Sequence, residues 1–208
     1  MRTGSKRSHG WILAALFLLA LIPRLYHVNS RFLTDADHNT SNWATYSKNL
    51  LERGWVPSRF GLVTNAYAPD GSAPRYFSHH PATLGLLTSL VFLVFGVSEA
   101  AARFPAILAS AATAPALYLL FRRILGPPWA LLSAAIFATA PWPVYFGQML
   151  NPEPFVALLA ILSLLAWARF EESAEPRWWR LSLGILAAAS LTDWPGSYLA
   201  PALAAASF

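Results

Sequence analysis

An all-α transmembrane fold, a bundle of several spans joined by polar turns, is predicted by three features of the sequence. Hydrophobic residues fill 56% of the 208 positions and charged residues only 12%, whereas an ordinary soluble domain carries about 25% charged residues. The charges are also clumped: none falls within 104–121, 124–152 or 154–168, and Asp193 alone interrupts 181–208. Such runs approach or exceed the roughly 20 apolar residues with which a helix crosses a bilayer.

The first apolar run, 11–23, follows Arg2, Lys6 and Arg7. It leads into Pro23-Arg24-Leu25-Tyr26-His27 rather than a small-x-small cleavage pattern, so a retained anchor over 10–26 is expected instead of a signal peptide. From 27 to 79 the chain carries nine charges and turn signals such as Pro69-Asp70-Gly71, the marks of a long non-membrane loop. Within it Trp43, Tyr46, Leu50 and Leu51 recur at helical spacing opposite Asn42, Lys48, Asn49 and Glu52, and Gly54 supplies a stop. Because the loop is too small to form its own core, this helix, 38–53, is expected to lie on the membrane interface.

Residues 81–96 are short for a span and open with Pro81. If they crossed, Arg122, Arg123, Arg169, Arg177 and Arg180 would face away from the basic N-terminus. As an interfacial helix they leave all five on the N-terminal side, as the positive-inside tendency favours. The resulting plan has spans at 10–26, 103–121, 127–147, 154–170 and 181–205 and an outer loop over 27–102. The N-terminus is then cytoplasmic, in a plasma membrane, and the turn Asn151-Pro152-Glu153-Pro154 lies outside. The last run reaches Phe208 without a closing charge, so the chain is expected to be the N-terminal part of a longer protein.

The absence of cysteine removes any disulfide framework or thiolate metal site. The net charge of +5 reports topology, since no basic stretch has the length or aromatic interleaving of a nucleic-acid surface. Nucleic acid is therefore excluded as a partner.

In this plan the polar residues that interrupt apolar surroundings gather on the outer face: Asp35, Asp37, His38, His79, His80, Arg103 and Glu153, with Asp193 part-way along the last span. Ionisable groups at such places are costly and mark functional sites by default. Asp35 and Asp37 precede the 38–53 helix, whose positive dipole end keeps a carboxylate ionised; a simple N-cap is the alternative. So stabilised, the acid is a weak base that takes a proton late in a transition state, and a good leaving group is needed. Arg103 offers a bidentate fork for phosphate, against a snorkelling residue at a membrane end. His79 and His80 offer hydrogen bonds near neutrality, against a structural turn before Pro81 or a two-histidine metal site, which lacks a helix-spaced carboxylate. Glu153 is the only charge in 124–168; its structural alternative is a first-turn acid of the next helix. In Thr192-Asp193-Trp194-Pro195-Gly196 the helix must break or kink, which a membrane tolerates where protein or a cavity satisfies the freed backbone.

On these residues the chain resembles the integral-membrane glycosyltransferases of the GT-C superfamily, specifically glycosyltransferase family 39, the protein-mannosyltransferase-like group. The resemblance runs in order through the acidic stretch Thr34-Asp35-Ala36-Asp37-His38-Asn39, then Lys48-Asn49-Leu50-Leu51-Glu52-Arg53-Gly54 and Tyr76-Phe77-Ser78-His79-His80-Pro81. It continues through Gly96-Val97-Ser98-Glu99 to Arg103-Phe104-Pro105, Arg122-Arg123, Tyr145-Phe146-Gly147-Gln148 to Glu153-Pro154, and the Asp193 segment. It implies a GT-C bundle whose first outer loop carries juxtamembrane helices, and transfer of a sugar from a polyprenyl-phosphate donor to an acceptor hydroxyl of protein, lipid or glycan. The family's catalytic acid, usually the first of an Asp-Glu pair, maps onto Asp37, with Asp35 next; no Glu is adjacent here, and a shifted alignment places Asn39 or Asn42 there. Its second acid maps onto Glu153 and its arginine onto Arg103. His79 and His80 then join Arg103 as donor-phosphate ligands, and Asp193, His38 and Tyr76 are further candidates.

The implied chemistry is an inverting single displacement with no cofactor. Three alternatives stay open. A metal-dependent oligosaccharyltransferase-like enzyme would bind a divalent cation through Asp35 or Asp37 and Glu153. A transporter or lipid flippase would line a pathway with the same acids, although the chain has a long outer loop and no inverted repeat. The third is an inactive truncated relative.

Overall fold

A computed structural model of the chain describes residues 4–33, 37–65 and 73–206; Asp35 lies outside the described residues. These form α1 (Gly4–Arg24), α2 (His38–Arg53), β1 (Leu62–Val63), β2 (Tyr76–Phe77), α3 (Thr83–Phe95), α4 (Glu99–Ile124), α5 (Pro127–Thr139), α6 (Pro141–Phe146), α7 (Glu153–Ser173), α8 (Pro176–Thr192) and α9 (Pro195–Ala206). β1 and β2 pair antiparallel, Leu62 opposite Phe77 and Val63 opposite Tyr76. By length and composition α4 and α7 can each cross a membrane, while Gly10–Arg24, α3 and α5 are shorter apolar helices.

Two stretches expected as single spans are divided. Residues 127–147 break at Ala140, which is extended (φ −62°, ψ 142°) before Pro141. Pro disfavours the helical conformation of the residue before it and has no N–H for the ladder, so α5 stops and α6 restarts with Pro141 in its first turn. Residues 181–205 break at Asp193, extended at φ −165°, ψ 164°, where Pro195 starts α9 and the Asp193 carboxylate accepts from the Trp194 N–H at 2.8 Å. In contrast α4 runs past 103–121 at both ends: the Ser98 hydroxyl caps it by accepting from the Ala101 N–H.

The loop over 27–102 is not too small for a core. Trp43 and Leu50 of α2, Leu62 of β1, and Leu84 and Phe92 of α3 are buried together with Ala101 and Ala102 of α4 and Leu150. The reason is that the loop borrows its floor from α4 and from the chain before α7. The apolar face of α2 is spent on these contacts, and Gly54, at φ 84°, turns the chain away at its end. Exposed apolar surface belongs instead to α3, where Leu90, Leu93, Val94 and Phe95 are exposed.

Helix packing in the span region depends on small residues, which let backbones approach where lipid supplies no hydrophobic drive. Ala20 of α1 meets Ala111 and Ala114 of α4 and Ala138 of α5. Ser163 of α7 and Ser182 of α8 exchange hydroxyl-to-carbonyl bonds of 3.0 and 2.9 Å.

Arg24 locks this region. Its side chain is fully buried (0% exposed). Nε donates to Ser110 Oγ at 2.8 Å, Nη1 to the carbonyls of Ala20 (2.7 Å) and Ala138 (2.9 Å), and Nη2 to those of Phe137 (3.4 Å) and Pro143 (3.1 Å). A guanidinium has five N–H donors, and two of these bonds satisfy the Phe137 and Ala138 carbonyls freed where α5 ends. Gly147 leaves room for the arrangement: a Cβ there would stand 2.6 Å from the Pro143 carbonyl oxygen and 2.8 Å from Arg24 Nε. Gly147→Ala is therefore expected to lower stability by about 1–3 kcal/mol, read as denaturant unfolding of the full-length protein in detergent; an unchanged midpoint would show that the neighbours yield freely.

Candidate active site

Arg103 lies in the first turns of α4, and the residue is buried. Nη1 donates to the carbonyls of Val28 (3.0 Å) and Ser30, Nη2 to Asp37 Oδ1 at 3.2 Å, and the guanidinium carbon sits 4.4 Å from the Phe32 ring centroid. A snorkelling role is thus ruled out: the side chain turns inward and ties the segment after α1 to α4. Asp37 occupies the N-cap position of α2 with helical dihedrals (φ −83°, ψ −6°) and makes no side-chain cap bond. The carboxylate faces Arg103 instead.

Glu153 opens α7 and is exposed to solvent. Its loop is fastened to the start of α2, since the Leu150 N–H donates to Thr40 Oγ at 3.2 Å in a buried bond. Thr40 and Leu150 each stand three residues from Asp37 and Glu153 respectively, so this bond brings the two acids to one end of the molecule. Beside Glu153, Asn151 is buried and its Oδ1 has no partner among the described residues; a buried acceptor of that kind calls for a donor.

The histidines form a second group. His80 Nδ1 and Asp193 Oδ1 are 2.7 Å apart, with the His80 side chain 27% and the Asp193 side chain 8% exposed. The Trp194 indole donates to the His79 carbonyl at 2.9 Å, and the Thr83 hydroxyl to the Leu191 carbonyl at 2.6 Å. Through these bonds the break between α8 and α9 docks onto the turn ahead of α3. Ser78, His79, His80, Ser190, Trp194 and Ser197 line a cavity of about 400 Å³ there. The His80 ring stacks on Phe77 (centroids 5.8 Å apart) and lies 5.9 Å from Trp43 of α2. Tyr46 stacks on the other neighbour of this set, Phe77, at 5.3 Å, and burial pushes its phenol above the ordinary value, leaving it a protonated donor.

The structure therefore joins Arg103 to Asp37 and His80 to Asp193, a grouping different from the expected set of Arg103, His79 and His80. His38 is exposed, with Nε2 3.1 Å from Asn42 Nδ2, and Tyr76 is half-exposed on β2; the described contacts of neither reach the two groups. Sequence reasoning missed Thr40, Trp194 and Arg24, whose partners lie roughly a hundred residues away in the chain; no local spacing announces them. Among the described residues no three His, Asp or Glu side chains converge as a cation site would require.

The His80–Asp193 pair is expected to be energetically coupled. Asp193→Ala should cost about 1–3 kcal/mol and much less in a His80→Ala background. A double-mutant cycle on unfolding measures this; additive losses would mean that the two side chains are merely adjacent.

A model of the family described as dolichyl-phosphate-mannose-protein mannosyltransferase matches residues 79–208, the part that holds His79, His80, Arg103, Glu153 and Asp193. The chain is also similar to an uncharacterized protein of Aquifex aeolicus (strain VF5), 31% identical over 190 residues, which cover 89% of this chain and 36% of that protein. The chain thus spans about a third of the length of that relative. No solved structure matches.

Proposed function

The chain belongs to the dolichyl-phosphate-mannose-protein mannosyltransferase family, and on that premise we propose that its protein is an integral-membrane glycosyltransferase that moves a sugar from a polyprenyl-phosphate donor to an acceptor hydroxyl of protein, lipid or glycan. The observation that carries this reading is the Asp37–Arg103 pair: a carboxylate and a buried cation at 3.2 Å, in a region tied by the Thr40–Leu150 bond to the loop bearing Glu153.

In this reading Asp37 accepts the proton of the acceptor hydroxyl as its oxygen attacks the anomeric carbon. The bond from that carbon to the phosphate oxygen breaks on the opposite face, the electron pair leaves with polyprenyl phosphate, and the configuration inverts, as in inverting glycosidases with water as the nucleophile. A phosphate leaving group needs no strong general acid. Arg103 holds Asp37 in place. His80, oriented by Asp193, and His79 supply donors for the leaving phosphate, and Glu153 positions the acceptor. A carboxylate already paired with Arg103 is a poor ligand for a divalent cation, so the reading includes no metal. The reaction takes place on the outer face of the plasma membrane, with α3 in the interface and the N-terminus cytoplasmic.

The stereochemistry tests it. The anomeric configuration of the product made by the full-length protein, followed by NMR with and without chelator, should be opposite to that of the donor and indifferent to chelation. Retention, or loss of turnover with chelator, would defeat the mechanism.

A further inference from the structure

A second cavity, of about 630 Å³, lies where α4 ends, between the later part of α7 and the start of α8. Arg122 and Arg123 of α4, Arg169 and Glu172 of α7 and Trp178 of α8 stand on its wall. Its floor is apolar, formed by leucines such as Leu119 and Leu162. Arg123 Nη1 donates to Glu172 Oε1 at 2.7 Å, which neutralises one cation. Arg122 lies 5.9 Å from the Tyr118 ring centroid, and for Arg169, which is exposed, no side-chain partner is found among the described residues. Three guanidinium groups thus meet one carboxylate, leaving positive charge above a greasy floor.

This cavity is distinct from the Asp37 region. Arg103 and Arg122 stand near opposite ends of α4, and 19 residues at 1.5 Å each separate them by about 28 Å. The hydrocarbon core of a bilayer is about 30 Å thick. A lipid phosphate held at one end therefore belongs to the other leaflet from one held at the other.

We propose that the Arg122–Arg169 cavity binds the headgroup of an anionic phospholipid from the bilayer leaflet at that end, with an acyl chain along the leucine floor. Charge complementarity selects this occupant: basic pockets between transmembrane helices take phosphate headgroups, and Arg forks match phosphate oxygens. Trp178 adds an aromatic ring at the level where headgroups meet acyl chains. The start of α8 brings the positive end of a helix dipole to the same place.

Native mass spectrometry of the full-length protein, titrated with phosphatidylglycerol and with phosphatidylcholine, tests this without any assay of activity. One saturable phosphatidylglycerol should be retained in preference to phosphatidylcholine. The preference should fall about tenfold or more in the double variant Arg122→Gln/Arg169→Gln, at roughly 1 kcal/mol per removed cation. Arg180→Gln, on the same helix end but outside the cavity, should keep it, and Arg169→Lys should keep part of it. Equal retention of both lipids, as when another segment of the protein fills the cavity, would overturn the proposal. So would an equal loss in Arg180→Gln, which would mark a diffuse basic surface. Displacement of the lipid by millimolar inorganic phosphate would point to a soluble anion site and overturn it as well.

Discussion

Asp37→Asn in the full-length protein is expected to lower sugar transfer by about a hundred- to ten-thousand-fold, the usual worth of a positioned general base. The amide oxygen can still accept from Arg103 Nη2, so the 3.2 Å contact survives in shape. What is lost is the proton acceptor and the countercharge of a cation whose side chain is only 6% exposed. A stability loss of about 1–3 kcal/mol accompanies the change, and detergent unfolding of the same preparation measures it. Asp37→Glu keeps the charge on a longer arm and should recover part of the activity. Transfer at the parent rate by a folded Asp37→Asn protein would remove Asp37 from the chemistry and leave the carboxylate a purely structural partner of Arg103.

Arg24→Met is expected to be the most destabilising single change among the helices, at about 3 kcal/mol or more, because each buried polar group left unpaired costs about 1–3 kcal/mol. Methionine roughly fills the stem but offers no donor to Ala20, Ala138, Phe137, Pro143 or Ser110. All five acceptors are neutral, four backbone carbonyls and the Ser110 hydroxyl, so no carboxylate among these partners offsets the cation. Lysine has three donors on a single nitrogen and cannot span the fork, so Arg24→Lys should recover only a fraction. Midpoints of denaturant unfolding in detergent, with helical content by circular dichroism, provide the comparison. A Met variant as stable as the parent would mean that water or a backbone shift replaces the guanidinium.

The family was legible in the sequence: the order of short motifs identified it, and the family model matches from His79 onward. The long helices α4 and α7 were legible because uncharged apolar runs that approach the roughly 20 residues of a span have few other uses. Their neighbours were less so. An apolar run does not show where a Pro will end a helix, so 127–147 looked continuous although Pro141 divides it; in 181–205 the Pro195-Gly196 pair did announce the break found at Asp193. The core under the outer loop was hidden for a different reason, since its floor comes from Ala101, Ala102 and Leu150, far along the chain. At the candidate site, residue types signalled chemistry but pairings did not. Arg103 reads equally well as a phosphate fork or a snorkelling residue until Asp37 is found against it, and nothing near Asp193 points to His80, 113 residues away. Arg24 drew no reading of its own in the flank after the first apolar run; its five acceptors, four of them backbone carbonyls, carry no side-chain signature.

The most direct measurement is label transfer by the full-length protein in membranes, with a panel of labelled polyprenyl-phosphate sugars and label followed into protein, lipid and glycan. At least one donor should be consumed, with polyprenyl phosphate released as label reaches an acceptor hydroxyl. No turnover of any donor by a correctly inserted protein would contradict the assignment of glycosyl transfer to this chain's site.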